Sequence, residues 1–99
     1  MFLAISQFTV ANDMDPAVRE AFTQRPHLVD HATGFVRMEV ANPGDDCKTF
    51  WLMTWWTNEA SFRDWHHGHS YRASHLGIPK GLKLVPGATR MTYLNVVAQ

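Results

Sequence analysis

The sequence predicts a ferredoxin-like α+β sandwich, in which two helices cover one face of a four-stranded antiparallel sheet. Strand-like and helix-like segments alternate along the 99 residues in the order βαββαβ, which is the signature of this fold. A strong turn signal at residues 42–46 lies between two β-rich segments and predicts a hairpin. The chain also has the length of one domain with its own core, so we expect a single domain over residues 1–99.

The first strand and the first helix are predicted at residues 2–11 and 16–30. Apolar side chains recur at alternate positions of the first segment, as expected for a strand with two distinct faces. Asp15 precedes Pro16, and we expect it to cap the helix, with proline at the first helical position. Pro26 interrupts the apolar stripe of this helix and should end or kink it at the preceding residue.

The remaining elements follow from the same signals. Gly34 opens a β-rich segment, the turn at residues 42–46 leads into an aromatic one, and Asn58 is a favourable N-cap for the next helix. We therefore predict strands at residues 35–41, 48–57 and 88–97 and a second helix at residues 59–75.

Charge and composition exclude several classes of protein. Nine basic and nine acidic residues cancel, which leaves no electrostatic footprint for nucleic acid or an anionic membrane. The single cysteine, Cys47, cannot form an internal disulfide, and this fits a reducing compartment. No apolar run approaches the roughly 20 residues of a membrane-spanning helix, and the N-terminal segment lacks the basic region of a signal peptide. We expect a soluble cytoplasmic protein.

Both faces of the predicted sheet are apolar, although two helices can cover only one of them. An exposed apolar patch of this size is rare in monomers, so the sequence predicts a homodimer whose sheets pack face to face. The third strand shows the pattern most clearly, with Phe50, Leu52 and Trp56 on one side and Trp51, Met53 and Trp55 on the other.

A possible ligand site is indicated by Trp65 and His75 on the predicted second helix. An indole and an imidazole on one element suggest a pocket for a flat aromatic or macrocyclic molecule, and imidazole is a suitable ligand for haem iron. A regular helix would separate the two residues by about 15 Å in rise and about 80° in rotation, so one planar ligand can touch both only if the helix bends, for which Gly68 is a plausible position. The expected apolar walls are Phe22, Trp65 and Trp55 or Trp56, and Arg25, Lys80 or Lys83 would meet acidic groups of the ligand at the rim.

Each of these residues also has a purely structural interpretation. Trp65 and Phe22 lie at stripe positions, where an aromatic side chain usually belongs to the core. His75 is equally compatible with a favourable interaction between its imidazole and the helix dipole. Arg25 and the two lysines can be ordinary solvated charges. A metal site is not expected from His66, His67 and His69, because these positions lack the i, i+4 spacing of a helical site.

The chain resembles the dimeric α+β barrel superfamily of antibiotic-biosynthesis monooxygenases, and above all its haem-degrading, IsdG-like branch. The resemblance covers nearly the whole chain. The Phe-x-x-Trp motif that ends at Trp65 is common to many members of the superfamily, and His75, ten residues later, is the more specific element. The resemblance implies that His75 is the proximal ligand to haem iron and that Trp65 crowds the distal side and ruffles the porphyrin. The branch has an asparagine near the iron-bound oxygen, and this position falls on Ser6. The other matching segments are residues 2–4, 21–25, 34–35, 54–56 and 60–65.

Three functions remain open from the sequence. The first is a monooxygenase that binds haem and degrades it, with His75 on the iron. The second is a cofactor-independent oxygenase of polycyclic phenols, in which Trp65 stacks on the substrate and His75 or a nearby histidine serves as base. The third is a non-catalytic dimer that binds haem or another aromatic ligand, which Ser6 favours, since its hydroxyl is shorter than an amide.

Overall fold

The computed structural model describes residues 1–25, 27–68 and 78–99, and it confirms the predicted α+β fold. The sheet has the strand order β2-β3-β1-β4, and each neighbouring pair is antiparallel. No helix within the described ranges is long and apolar enough to cross a membrane. The elements are β1 (Phe2–Thr9), α1 (Asp15–Thr23), a 3-10 turn (Leu28–His31), β2 (Phe35–Ala41), β3 (Thr49–Trp56), α2 (Glu59–His66) and β4 (Arg90–Asn95).

The first helix is shorter than predicted and begins differently. It ends at Thr23 and not at residue 30, because a proline at position 26 has no N–H with which to continue a helix and its ring would clash with the preceding turn of one. A separate 3-10 turn follows. The prediction of Asp15 as N-cap is also wrong: Met14 occupies that position, and the Asp15 carboxylate accepts a hydrogen bond from the Cys47 thiol at 3.6 Å.

The second helix also ends earlier than expected. The backbone N–H of Gly68 donates to the carbonyl of Trp65 at 2.9 Å, an i to i−3 bond that tightens the chain just beyond the last helical residue, His66. The prediction of one regular helix over residues 59–75 is therefore wrong. The chain leaves the helical path at Gly68, the position where the sequence suggested a bend, and residues 69–77 lie outside the described part of the chain.

The core on the helix-covered face of the sheet is divided into two clusters. The first cluster lies where β1 begins and β3 ends, and the second lies at the opposite end of these two strands. The buried members of the first cluster are Phe2, Ala4, Val29, Trp56 and Phe62, and those of the second are Val10, Val18 and Phe50.

The other face of the sheet, here called the outer face, is also apolar, as the alternation predicts. The strand register places Leu3 between Trp55 and Leu94, and Ile5 beside Met53. The guanidinium of Arg37 lies over the ring of Trp55 at 4.0 Å from its centroid, a distance typical of a cation–π contact. A shallow depression of about 230 Å³ at one end of this face is lined by Ala41, Asn42, Pro43, Trp51 and Met53.

Gly34 directly precedes β2 and lies against the start of α2, at a point where no side chain fits. Its φ of +81° lies in the left-handed region, and its carbonyl accepts a hydrogen bond from Thr57 N–H at 2.8 Å. A Cβ at this position would overlap the Ser61 side chain and would lie 2.8 Å from Thr57 Oγ1. The close approach of β2 to the start of α2 therefore requires glycine.

We predict that Gly34→Ala lowers the free energy of unfolding by about 2 to 4 kcal/mol, the sum of left-handed strain and steric overlap. The measurement is urea denaturation followed by circular dichroism. Gly44→Ala is the matched control, because a Cβ at Gly44 meets no atom within 4 Å. The control should stay within about 0.5 kcal/mol of the parent. Equal effects of the two substitutions would contradict this account of Gly34.

Candidate functional site

Between the two clusters, the middle of the helix-covered face is only half-buried, and this region is here called the hollow. Strands at the centre of a sheet usually bury their helix-facing side chains completely, and Phe50 and Trp56 at the two ends of β3 do so, with 1 % and 0 % exposure. Between them, Leu52 and Thr54 remain half-buried, as does Ser6 on the neighbouring strand β1. The middle of the covered face is therefore accessible, while its ends are closed.

Ser6 lies at the centre of the floor of this hollow. It is paired with Leu52 on one side and with Met91 on the other. Its hydroxyl forms no hydrogen bond with any residue in the described ranges. Thr54 on the same face differs, because its hydroxyl accepts a hydrogen bond from the buried Trp56 indole at 2.8 Å. Ser6 thus offers a free donor and acceptor to whatever fills the hollow.

The two aromatic residues predicted as walls lie against opposite clusters. Phe22 packs against the second cluster, with its ring centroid 6.3 Å from that of Phe8 and 6.1 Å from that of Phe50. Trp65 packs against the first cluster. Both side chains are half-buried, so each supports a cluster and keeps an accessible surface. The structural and the ligand-binding interpretations of these residues are therefore compatible.

The prediction that Trp55 or Trp56 forms a wall is wrong. Trp55 lies on the outer face of the sheet under Arg37, because side chains alternate along β3. Trp56 faces the helices but has no exposed surface, and its ring contacts Phe35 and Phe62 at centroid distances of 5.5 and 5.8 Å. Trp56 is a core residue that no ligand can touch.

The three cations predicted at the rim have different environments. Lys80 and Lys83 are exposed and form no ion pair with another described residue. Arg25 is partly buried and its Nη1 donates to Asp30 Oδ1 at 2.9 Å. This hydrogen bond is the main cause that holds the pKa of Asp30 below its ordinary value, against the opposing effect of desolvation, and His27 lowers that pKa further.

The sequence did not point to Asp30, which is the ion-pair partner of Arg25. The two residues are five apart across the end of a helix, a spacing that no helical pairing rule covers.

His75, the predicted iron ligand, lies outside the described residues. Within the described ranges no group of three or more His, Cys, Asp or Glu side chains could hold a metal ion.

Comparison with known proteins identifies the family. The model of the antibiotic biosynthesis monooxygenase family matches residues 1–76, about three quarters of the chain. The protein therefore belongs to the antibiotic biosynthesis monooxygenase family, and its fold is the one found in monooxygenases of this type. No curated protein sequence matches the chain.

Solved structures with the same fold include both haem-degrading and cofactor-independent proteins. MhuD from Mycobacterium tuberculosis, described as a haem degrader with two haems bound in its active site, superposes with a TM-score of 0.80 at 20 % identity over 100 % of this chain and 98 % of that one. A MhuD mutant with two manganese protoporphyrin IX molecules per active site gives 0.82 at 19 % identity, over 100 % and 97 %. SnoaB from Streptomyces nogalater, a cofactor-independent oxygenase, gives 0.76 at 14 % identity, over 99 % and 94 %.

We predict that Ser6→Ala changes the free energy of unfolding by less than about 0.5 kcal/mol, because its hydroxyl has no partner among the described residues. Thr54→Val is the matched control on the same face. The Thr54→Val substitution leaves the buried Trp56 indole without its acceptor and should lower the free energy of unfolding by about 1 to 3 kcal/mol. Urea denaturation measures both. A loss for Ser6→Ala equal to that for Thr54→Val would show that the Ser6 hydroxyl is bonded within the protein.

Proposed function

We propose that the protein is a monooxygenase that binds haem in the hollow and degrades it oxidatively with O2. The observation that carries the proposal is the accessible middle of the covered face, with the free Ser6 hydroxyl at its floor. Ala4 in the first cluster and Phe8 against the second are four residues apart on β1, or about 13 Å at the rise of a strand. This length suits a large planar molecule, and apolar walls with a few polar groups are typical of such sites.

The described residues would divide the work as follows. Trp65 and Phe22 would contact the ring from opposite ends of the hollow and exclude water from it. Ser6 would donate a hydrogen bond to oxygen, directly or through one water, because its side chain is short. Arg25 would meet a carboxylate of the ligand at the rim. Haem, as substrate, supplies the iron that activates oxygen, and we propose His75 as the ligand to that iron.

A cofactor-independent oxygenase of polycyclic phenols is the second candidate. The structural similarity to SnoaB is compatible with this function. Trp65 would then stack on the phenol, and His75 or a nearby histidine would remove its proton. A dimer that binds haem or an aromatic ligand without turnover is the third candidate.

Titration of the purified protein with haemin separates these candidates. We expect a saturable Soret shift, and His75→Ala should weaken binding by roughly tenfold or more, about 1.4 kcal/mol. His31→Ala is the control, since His31 is an exposed histidine outside the hollow. Slow loss of the Soret band with ascorbate and oxygen would demonstrate turnover.

Other outcomes favour the alternatives. Binding without degradation, with activity gained in Ser6→Asn, would indicate the non-catalytic binder. If haemin binds no better than to an unrelated protein, the haem proposal is wrong and the cofactor-independent oxygenase takes its place.

We also propose that two copies pack through their outer faces. The centre of this face is apolar, and its edge strands carry charges: Arg37 and Glu39 on β2 and Arg90 on β4. A twofold axis parallel to the strands would place β2 of one copy over β4 of the other, so that Glu39 of each copy lies on the strand that faces Arg90 of the other. A second copy of this chain is therefore the occupant that the face fits.

The dimer is tested by placing a charge on the outer face. The wild type should have twice the 11.3 kDa mass of the chain in light scattering after size exclusion. Leu94→Glu, at a position that is 45 % exposed, should shift the protein towards the monomer. Ile78→Glu adds the same charge at an exposed position outside the sheet and should remain dimeric. A monomeric wild type, or a dimeric Leu94→Glu, would contradict the proposal.

A further inference from the structure

We infer that Asp30 weakens the binding of acidic ligands at Arg25, because a ligand carboxylate in the hollow must share this guanidinium with an internal carboxylate. The inference rests on the proposed function, because it concerns the same hollow. It adds Asp30 as a residue that lowers the affinity for acidic ligands but not for neutral ones.

The position of the ion pair follows from the path of the chain between α1 and β2. Phe22, at the end of α1, packs against the second cluster, whereas Val29, in the 3-10 turn, belongs to the first. Phe22 and Val29 therefore lie on opposite sides of the gap between the clusters. The Arg25 N–H donates to the Phe22 carbonyl at 3.3 Å, and Asp30 directly follows Val29, so the ion pair connects the two sides. The ion pair is thus at the edge of the hollow.

The geometry of the pair leaves the arginine with unused donors. Arg25 Nη1 donates to one oxygen of Asp30 at 2.9 Å, and the other oxygen lies 3.3 Å from His27 Nδ1. Both carboxylate oxygens of Asp30 are therefore occupied. The Arg25 guanidinium has five N–H donors, and among the described side chains it donates only to Asp30. The Arg25 side chain is 20 % exposed, which leaves it accessible to a ligand yet partly shielded from water.

A second carboxylate at this guanidinium would lie close to that of Asp30. The repulsion between the two anions opposes binding, and it is stronger near a partly buried site than in water. A neutral ligand of the same shape does not experience this repulsion. Asp30 therefore weakens the binding of acidic ligands in particular.

The experiment compares haemin with its dimethyl ester, which has the same ring but no carboxylates. Asp30→Asn should tighten haemin binding about three- to tenfold and leave the ester within about twofold. Arg25→Gln should weaken haemin binding and leave the ester within about twofold. Glu59→Gln is the matched control, since it removes the same charge from the exposed pair with Arg63 and should change neither affinity.

The possible failures are distinguishable. If haemin binds but Asp30→Asn leaves its affinity unchanged, weakens it or tightens the ester equally, the inference is wrong while the proposed function stands. If haemin binds neither the wild type nor any variant, the inference and the proposed function are both wrong. Circular dichroism verifies that each variant folds, and Asp30→Ser, which also removes the charge, should reproduce the effect of Asp30→Asn.

Discussion

The register between β1 and β3 is the constraint on which the structure depends. The two strands pair along their whole length, from Phe2 opposite Trp56 to Thr9 opposite Thr49. A shift of one residue would move every side chain to the other face, so Ser6 would leave the hollow and the buried aromatic residues would be exposed. Both clusters, the floor between them and the apolar outer face follow from this single alignment.

Specific interactions hold the register at both ends. At one end the hydroxyl groups of Thr9 and Thr49 lie 2.9 Å apart, and Thr49 also donates to Asp46 at 2.6 Å. At the other end Trp56 is completely buried and donates to Thr54. The two ends of the sheet are thus fixed by buried or paired groups, which allows its middle to remain open without loss of alignment.

Strand alternation made most of the fold and both sheet faces predictable, because a period of two assigns every side chain to a face. The same rule separates Trp55 from Trp56, and only the structure showed that the helix-facing one is fully covered. The Arg25–Asp30 pair had no sequence signal, because it spans a helix end whose position depends on the proline at position 26 and on the turn that follows. The packing of Phe22 and Trp65 against the sheet could therefore be predicted, but the ion pair between Arg25 and Asp30 could not.

The division of the core has a thermodynamic consequence. Each cluster is small, and on the covered face of the sheet a half-buried gap lies between them, so the strands that run through both clusters carry much of the cooperativity between the two ends. Any molecule that fills the gap would join both clusters into one continuous interior and stabilise the native state by mass action. The resistance of this protein to local opening and proteolysis would then be set by the concentration of its ligand, and an empty protein would be the form most readily removed.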